Sequence, residues 1–306
     1  MDHRETCGAE DTFARALGAE TGTSDAEPTM RLCENAVYVK ITTAEDVLDD
    51  GTVQTLLEQA GLVAGGTPTR FRDLVRRSPE RTAEEGIAAL EEGRGAGLHQ
   101  SARFRFEGDP DGPLRSLEVH AMAHPYTGEH VTQIEFRWSR SVLENPEQRE
   151  RLAAFVREAI RRTRPLHAHA HDVDDNAMQL VDSPGLLRMG YGREPDELGA
   201  SDRPGREISR GTWRLVPNWM TYIGPPLIEA LDEAGDGPIE PGELPPHDSI
   251  AGGWLFTLKA DPATPCEPRF RDAQRALRTT LRFDELARRT GRNLGYWARR
   301  SRKETS

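Results

Sequence analysis

A chain of 306 residues with 51 acidic and 40 basic side chains carries a net charge of −11, and it is long enough to bury a substantial core. Only 36% of it is hydrophobic and its mean hydropathy is −0.67. With no run of about 18 apolar residues, a membrane-spanning helix is excluded, and the N-terminus lacks the basic-then-apolar pattern of a secretory signal.

Three widely spaced cysteines, Cys7, Cys33 and Cys266, fit reduced thiols in a cytoplasmic protein better than a disulfide framework. Lysine occurs only at Lys40, Lys259 and Lys303, so 37 of the 40 basic residues are arginine. Charge is uneven along the chain. Residues 288–306 hold six arginines and Lys303 against Glu304 alone, a balance of +6 that leaves the remainder near −17. Such a body repels nucleic-acid phosphates and attracts a basic surface.

Residues 1–29 lack periodicity and read as a disordered arm. The β-branched run 36–42 suits a strand. From Thr52, the spacing of Val53, Leu56, Leu57 and Ala60 predicts an amphipathic helix closed by Gly61. A second helix falls within 79–93, between Gly/Pro breaks. From Ala102 to Arg140 the period becomes two. Phe104 and Phe106 alternate with arginines, then Leu117, Val119 and Ala121 with polar residues, then Ile134, Phe136 and Trp138 with Gln133, Glu135 and Arg137. Turn clusters at 109–113 and 124–130 make this a three-strand antiparallel meander with one face in the core.

Asn145-Pro146-Glu147 has the form of an N-cap followed by proline at the first helical position. Leu152, Phe155, Val156, Ala159 and Ile160 then define an amphipathic helix that Pro165 ends. Residues 166–210 read as mixed and loop-rich. A compact block at 217–231, a strand at 253–258 and a helix from about Pro268, with Phe270, Ala273, Leu277 and Leu281 inward, complete the chain. The expected fold is α+β: an antiparallel meander sheet packed with helices in one domain over 31–287, between the arm and an Arg-rich tail at 288–306.

Three stretches could carry chemistry. His167, His169 and His171 would share one face of an extended segment and, with Asp172 or Asp174, could supply a zinc or iron site; the bland alternative is a solvated His/Asp stretch. No HExxH or CxxC accompanies them. His120, His124 and His130 surround the second hairpin turn, with His120 expected to face solvent. Gly93-Arg94-Gly95-Ala96-Gly97 lacks the frame of a phosphate loop, and no GxSxG occurs. The Arg-rich tail with Tyr296 and Trp297 could stack bases or lie on anionic lipid, or simply tether to the acidic body.

The block Pro217-Asn218-Trp219-Met220-Thr221-Tyr222-Ile223-Gly224-Pro225-Pro226-Leu227-Ile228-Glu229-Ala230-Leu231 resembles the signature of the type VI secretion immunity family that guards against VRR-NUC nuclease effectors. The resemblance implies that Asn218, Trp219, Thr221, Tyr222, Gly224 and Leu231 mark the scaffold rather than the contact surface. It also implies a non-catalytic, cofactor-free inhibitor that binds a basic toxin or nuclease by occlusion. Acidic side chains within 107–111, 172–175 and 232–248 are then the expected contacts. The rival expectations are a metal-dependent enzyme built on His167, His169 and His171, and a housekeeping binding module with no toxin partner.

Overall fold

The computed structural model describes residues 36–45, 51–73, 81–95, 100–107, 114–123, 130–172, 217–235, 237–240, 244–258 and 268–283, with single residues 47, 79, 175, 242, 285 and 286. The arm at 1–29, the tail at 288–306 and His124 lie outside the described residues, and of His120 and His130 only the backbone is described.

Among the described residues ten strands pair antiparallel into one sheet, in the order β3-β2-β4-β5-β6-β1-β7-β8-β10-β9. They are β1 (Ala36–Thr43), β2 (Thr67–Asp73), β3 (Arg81–Thr82), β4 (Gln100–Glu107), β5 (Leu114–Ala123), β6 (His130–Ser139), β7 (His167–Asp172), β8 (Met220–Ile223), β9 (His247–Ile250) and β10 (Gly253–Thr257). The helices are α1 (Thr52–Ala64), α2 (Ala83–Gly95), α3 (Ser141–Glu144), α4 (Pro146–Thr163), α5 (Pro225–Ala234) and α6 (Pro268–Thr280). The class is α+β, and the meander of β4, β5 and β6 forms as its period of two requires. Among the described residues no helix is long and apolar enough to cross a membrane.

Two apolar layers hold the sheet from opposite sides. On one face Val39, Ile41, Phe104, Ile134, Phe136, Trp138, Ala168 and Ala170 pack with Leu56, Leu57, Leu152, Phe155, Val156 and Ile160 from α1 and α4. Phe155 meets Phe136 and Trp138 edge-on at 4.8 and 5.4 Å, a favourable aromatic geometry. On the other face, at the far end of the sheet, Ile223 and Phe256 pack with Leu227 and Leu231 of α5 and Leu277 of α6.

Local chemistry explains the helix ends. Asn145 Oδ1 accepts from the backbone N–H groups of Glu147 and Gln148, capping α4 ahead of Pro146. Thr82 and Glu85 exchange backbone-to-side-chain hydrogen bonds in a reciprocal box that opens α2. Gly61 does not close α1, which runs on to Ala64. It is glycine because the carbonyl of Gly66 folds back onto the place where its Cβ would stand.

Four strands depart from expectation. β2, β3 and β9 were not anticipated, and the stretch read as loop-rich after Pro165 begins with β7, near the centre of the sheet. At the opposite edge, β9 and β10 are joined by Ala251 and Gly252, with φ of 50° and 79°. Positive φ at both central residues is the pattern of a type I′ hairpin turn, which favours Asn-Gly and strains alanine. Ala251→Asn is therefore expected to raise unfolding stability by about 0.5–1 kcal/mol. Urea denaturation measures it, and an unchanged or lowered midpoint contradicts this turn assignment.

Candidate functional site

The register defines a polar sheet face opposite the α1/α4 layer. Tyr38, Lys40 and Thr42 on β1 alternate with the buried Val37, Val39 and Ile41. Across one ladder they meet Arg137, Glu135 and Gln133 of β6, and across the other His171, His169 and His167 of β7. Next to β7, Thr221 and Ile223 of β8 align with His169 and His167. The three histidines therefore stand where the polar stretch of this face meets the apolar end covered by α5 and α6.

His167 and His171 are 2% exposed. The segment is extended with the three histidines on one face, and its burial in a central strand corrects the reading of a solvated, loop-rich stretch. The imidazoles form a ladder, with centroids 5.1 Å apart between His167 and His169 and 5.0 Å between His169 and His171. His171 continues the stack onto Tyr38 at 5.6 Å, with the rings 12° from parallel. Nε2 of His167 and Nδ1 of His169 and His171 are buried without a hydrogen-bond partner in the structure. Rings stacked along one strand do not converge on a point. Among the described residues no group of three or more His, Cys, Asp or Glu is disposed to hold a metal ion.

Burial holds all three imidazoles neutral. It lowers the pKa of His167 to about 4. It drives His169 and His171 well below the ordinary value, with further lowering from Lys40 on both and from the flanking imidazoles on His169. Around the ladder, Lys40 Nζ bonds Glu135 at 2.7 Å and lies 5.4 Å from the centre of the Tyr38 ring, while the Arg137 guanidinium sits 5.6 Å from it. Tyr38, Lys40, Glu135 and Arg137 had no place among the expected site residues. Their alternation with core residues was the available signal.

Two acids expected at a partner surface are structural instead. Asp172 is 3% exposed and pairs with Arg140 at 3.1 Å. Asp175 is 1% exposed and accepts from Gln274 Nε2 at 3.0 Å, and Gln274 also donates to the carbonyl of Pro217. At 232–248, Asp232 accepts from the backbone N–H of Ile239, and the exposed Asp248 pairs with Arg157 at 3.0 Å.

The block at 217–231 is interior. Asn218, Trp219, Thr221, Tyr222, Gly224 and Leu231 are all buried. The backbone N–H of Asn218 donates to Thr221 Oγ1 at 2.8 Å, and the carbonyl of Trp219 accepts from Leu258 N–H at 2.9 Å. The hydroxyl of Tyr222 donates to the Ala251 carbonyl at 3.4 Å, and burial raises its pKa to about 12. Gly224 caps α5, its carbonyl accepting from the N–H groups of Leu227 and Ile228.

One antiparallel sheet with helical layers on opposite faces and a charged, histidine-lined centre defines an α+β protein. No family model and no curated protein matches the chain. Among solved structures it is similar to the Pseudomonas aeruginosa T6SS protein PA0821, with a TM-score of 0.53 and 14% identity over 81% of this chain and 73% of that chain. At that identity the likeness is one of fold.

Proposed function

We propose that this chain is a cytoplasmic, non-catalytic, immunity-type protein that inhibits a type VI secretion toxin by binding and occluding it. The observation that carries the proposal is the fold shared over 81% of the chain with a T6SS protein, joined by the family-like block at 217–231. That block is interior, as a scaffold signature would be. The disposition of the reactive side chains supports a binding role. The imidazoles stack on one another and on Tyr38, Asp172 is held by Arg140, and Asp175 by Gln274. A net charge of −11 would hasten encounter with a basic toxin such as a nuclease.

Co-expression with secreted toxins encoded beside this chain tests the proposal. The expected result is restored growth and a complex that survives purification. Soluble expression with full toxicity and no complex overturns it.

A further inference from the structure

The histidine ladder stands at a seam between two parts of the sheet. Among the described residues, every buried side chain of the apolar cluster under α5 and α6 lies between Ile223 and Leu286. The segment 217–286 therefore carries a core of its own. It joins the rest of the sheet where β7 meets β8, through four residue pairs from His167–Ile223 to Ala170–Met220, against six pairs between β1 and β7. On the other face Met220, Tyr222 and Leu255 reach into the α1/α4 layer, and the exposed Arg157–Asp248 pair ties α4 to β9. On the ladder's own face, His169 stands opposite Thr221, and His167 opposite Ile223 of the second core.

Three imidazoles spaced 5.0 and 5.1 Å apart, each with a buried ring nitrogen that has no hydrogen-bond partner, pack stably only while uncharged. A proton on any of them leaves a cation in a dry site, and a second proton adds like-charge repulsion. Around the ladder β1 brings Tyr38 and Lys40, and β6 brings Arg137 and Glu135, which Lys40 holds. On β7 itself Asp172 is held by Arg140, and β8 offers only the uncharged Thr221 and Ile223. The α6 layer carries the buried Arg278 and Gln274, the latter holding Asp175. Glu135, Asp172 and Asp175 are thus each engaged already, and the remaining charges named are cations.

We propose that the ladder is an acid-operated switch: its protonation parts β7 from β8 and releases the 217–286 unit, while the meander and the α1/α4 layer stay folded. Of the two edges of β7 this one yields. It has the fewer residue pairs, and on that side the charged rings face a hydroxyl and an aliphatic side chain that give a cation little. Water entering there hydrates the freed ring nitrogens. The separate core under α5 and α6 lets the unit part from the sheet as one cooperative piece. Acid then opens one place in the fold before it unfolds the whole.

Hydrogen–deuterium exchange of the full chain at pH 7.5 and pH 5.5, scaled for the intrinsic exchange rate at each pH, reads the opening strand by strand. At pH 5.5 the amides of β8, β10 and α5 are expected to be less protected than those of β1, β6 and α4. Between the two pH values they are expected to lose about tenfold in protection for each histidine the opening exposes, because a freed imidazole with a pKa of about 6.5 takes up its proton across this interval. His167→Phe keeps a ring beside Ile223 and removes one titrating group, so its loss of protection is expected to be about tenfold smaller.

Equal protection of the two parts at pH 5.5 would mean a single global transition and overturns the proposal. So does protection of β8, β10 and α5 that does not change with pH, or an undiminished loss in His167→Phe. Should that variant fail to fold, the comparison of the two pH values in the unaltered chain still decides. None of these measurements involves a toxin, so the switch and the immunity reading stand or fall separately.

Discussion

Acidification from pH 7 to pH 5 is expected to weaken this protein steeply, before most of its carboxylates titrate. The cause is the neutral ladder of His167, His169 and His171. In the unfolded chain each histidine takes up a proton near its ordinary pKa of about 6.5. In the fold, burial lowers His167 to about 4 and holds His169 and His171 well below the ordinary value. Below about pH 6.5 the unfolded state therefore binds more protons than the native state. The ladder's contribution is fully present above that pH and is lost as pH falls toward 4.

Each such histidine costs about 1.4 kcal/mol per pH unit within that window, so His167 alone accounts for about 3 kcal/mol by pH 4. That is a large part of the 5–15 kcal/mol typical of a folded domain. The groups around the ladder do not rescue the charged form. Lys40 and Arg137 are cations, Tyr38 and Thr221 are uncharged, and Glu135 already bonds Lys40 at 2.7 Å. Asp172, on the same strand, pairs with Arg140. His171→Phe keeps a ring against Tyr38 and removes one titrating group. Urea midpoints at pH 7.5, 6 and 5 are expected to fall less for the variant, by about 1.4 kcal/mol per pH unit across the lower interval. Parallel curves for the two proteins would show that His171 is not a buried neutral group.

The same strand shows where sequence patterning reaches its limit. The meander is legible because Phe104, Ile134, Phe136 and Trp138 are large and fall on alternate positions, and α4 because Leu152, Phe155, Val156, Ala159 and Ile160 trace one stripe. In β7 the core face consists of Ala168 and Ala170, small residues that signal no strand, and the opposite face is histidine, which reads as polar although two of the three are almost fully buried. β2 fails for a related reason. Phe71 is its only buried residue, with exposed arginines on either side. Its meaning lies in the pairing with β4, a long-range fact that a linear pattern does not contain. The acidic contacts expected at 172–175 followed from reading that segment as a loop. Once β7 is central, Asp172 and Asp175 must be buried and therefore paired. The block at 217–231 was legible as packing, because its large residues fill the interior.

Gly224→Ala is expected to destabilise the fold by about 3 kcal/mol or more, although its φ of −78° is open to any residue. The requirement is space. A Cβ at this position would collide with the carbonyl oxygen of Pro165 and come within 2.9 Å of that of Leu166. Both are main-chain atoms, which no rotamer change can move. The contact lies where the α4–β7 junction meets the β8–α5 junction. Gly224 N–H donates to the Leu166 carbonyl at 3.0 Å, and Leu166 N–H donates to the Thr42 carbonyl at 2.8 Å. To admit a methyl group, the start of β7 must move away from β8 or α5 must tilt outward, and either motion disturbs His167 opposite Ile223 and the packing of Leu227 and Leu231. Gly242→Ala, where no atom lies within 4 Å of the added carbon, is the matched control and is expected to be near neutral. Denaturant midpoints of the two variants settle the comparison. A near-neutral Gly224→Ala would mean that the glycine of the family-like block is not there to let two stretches of backbone touch, and the scaffold role assigned to that block would lose its physical basis.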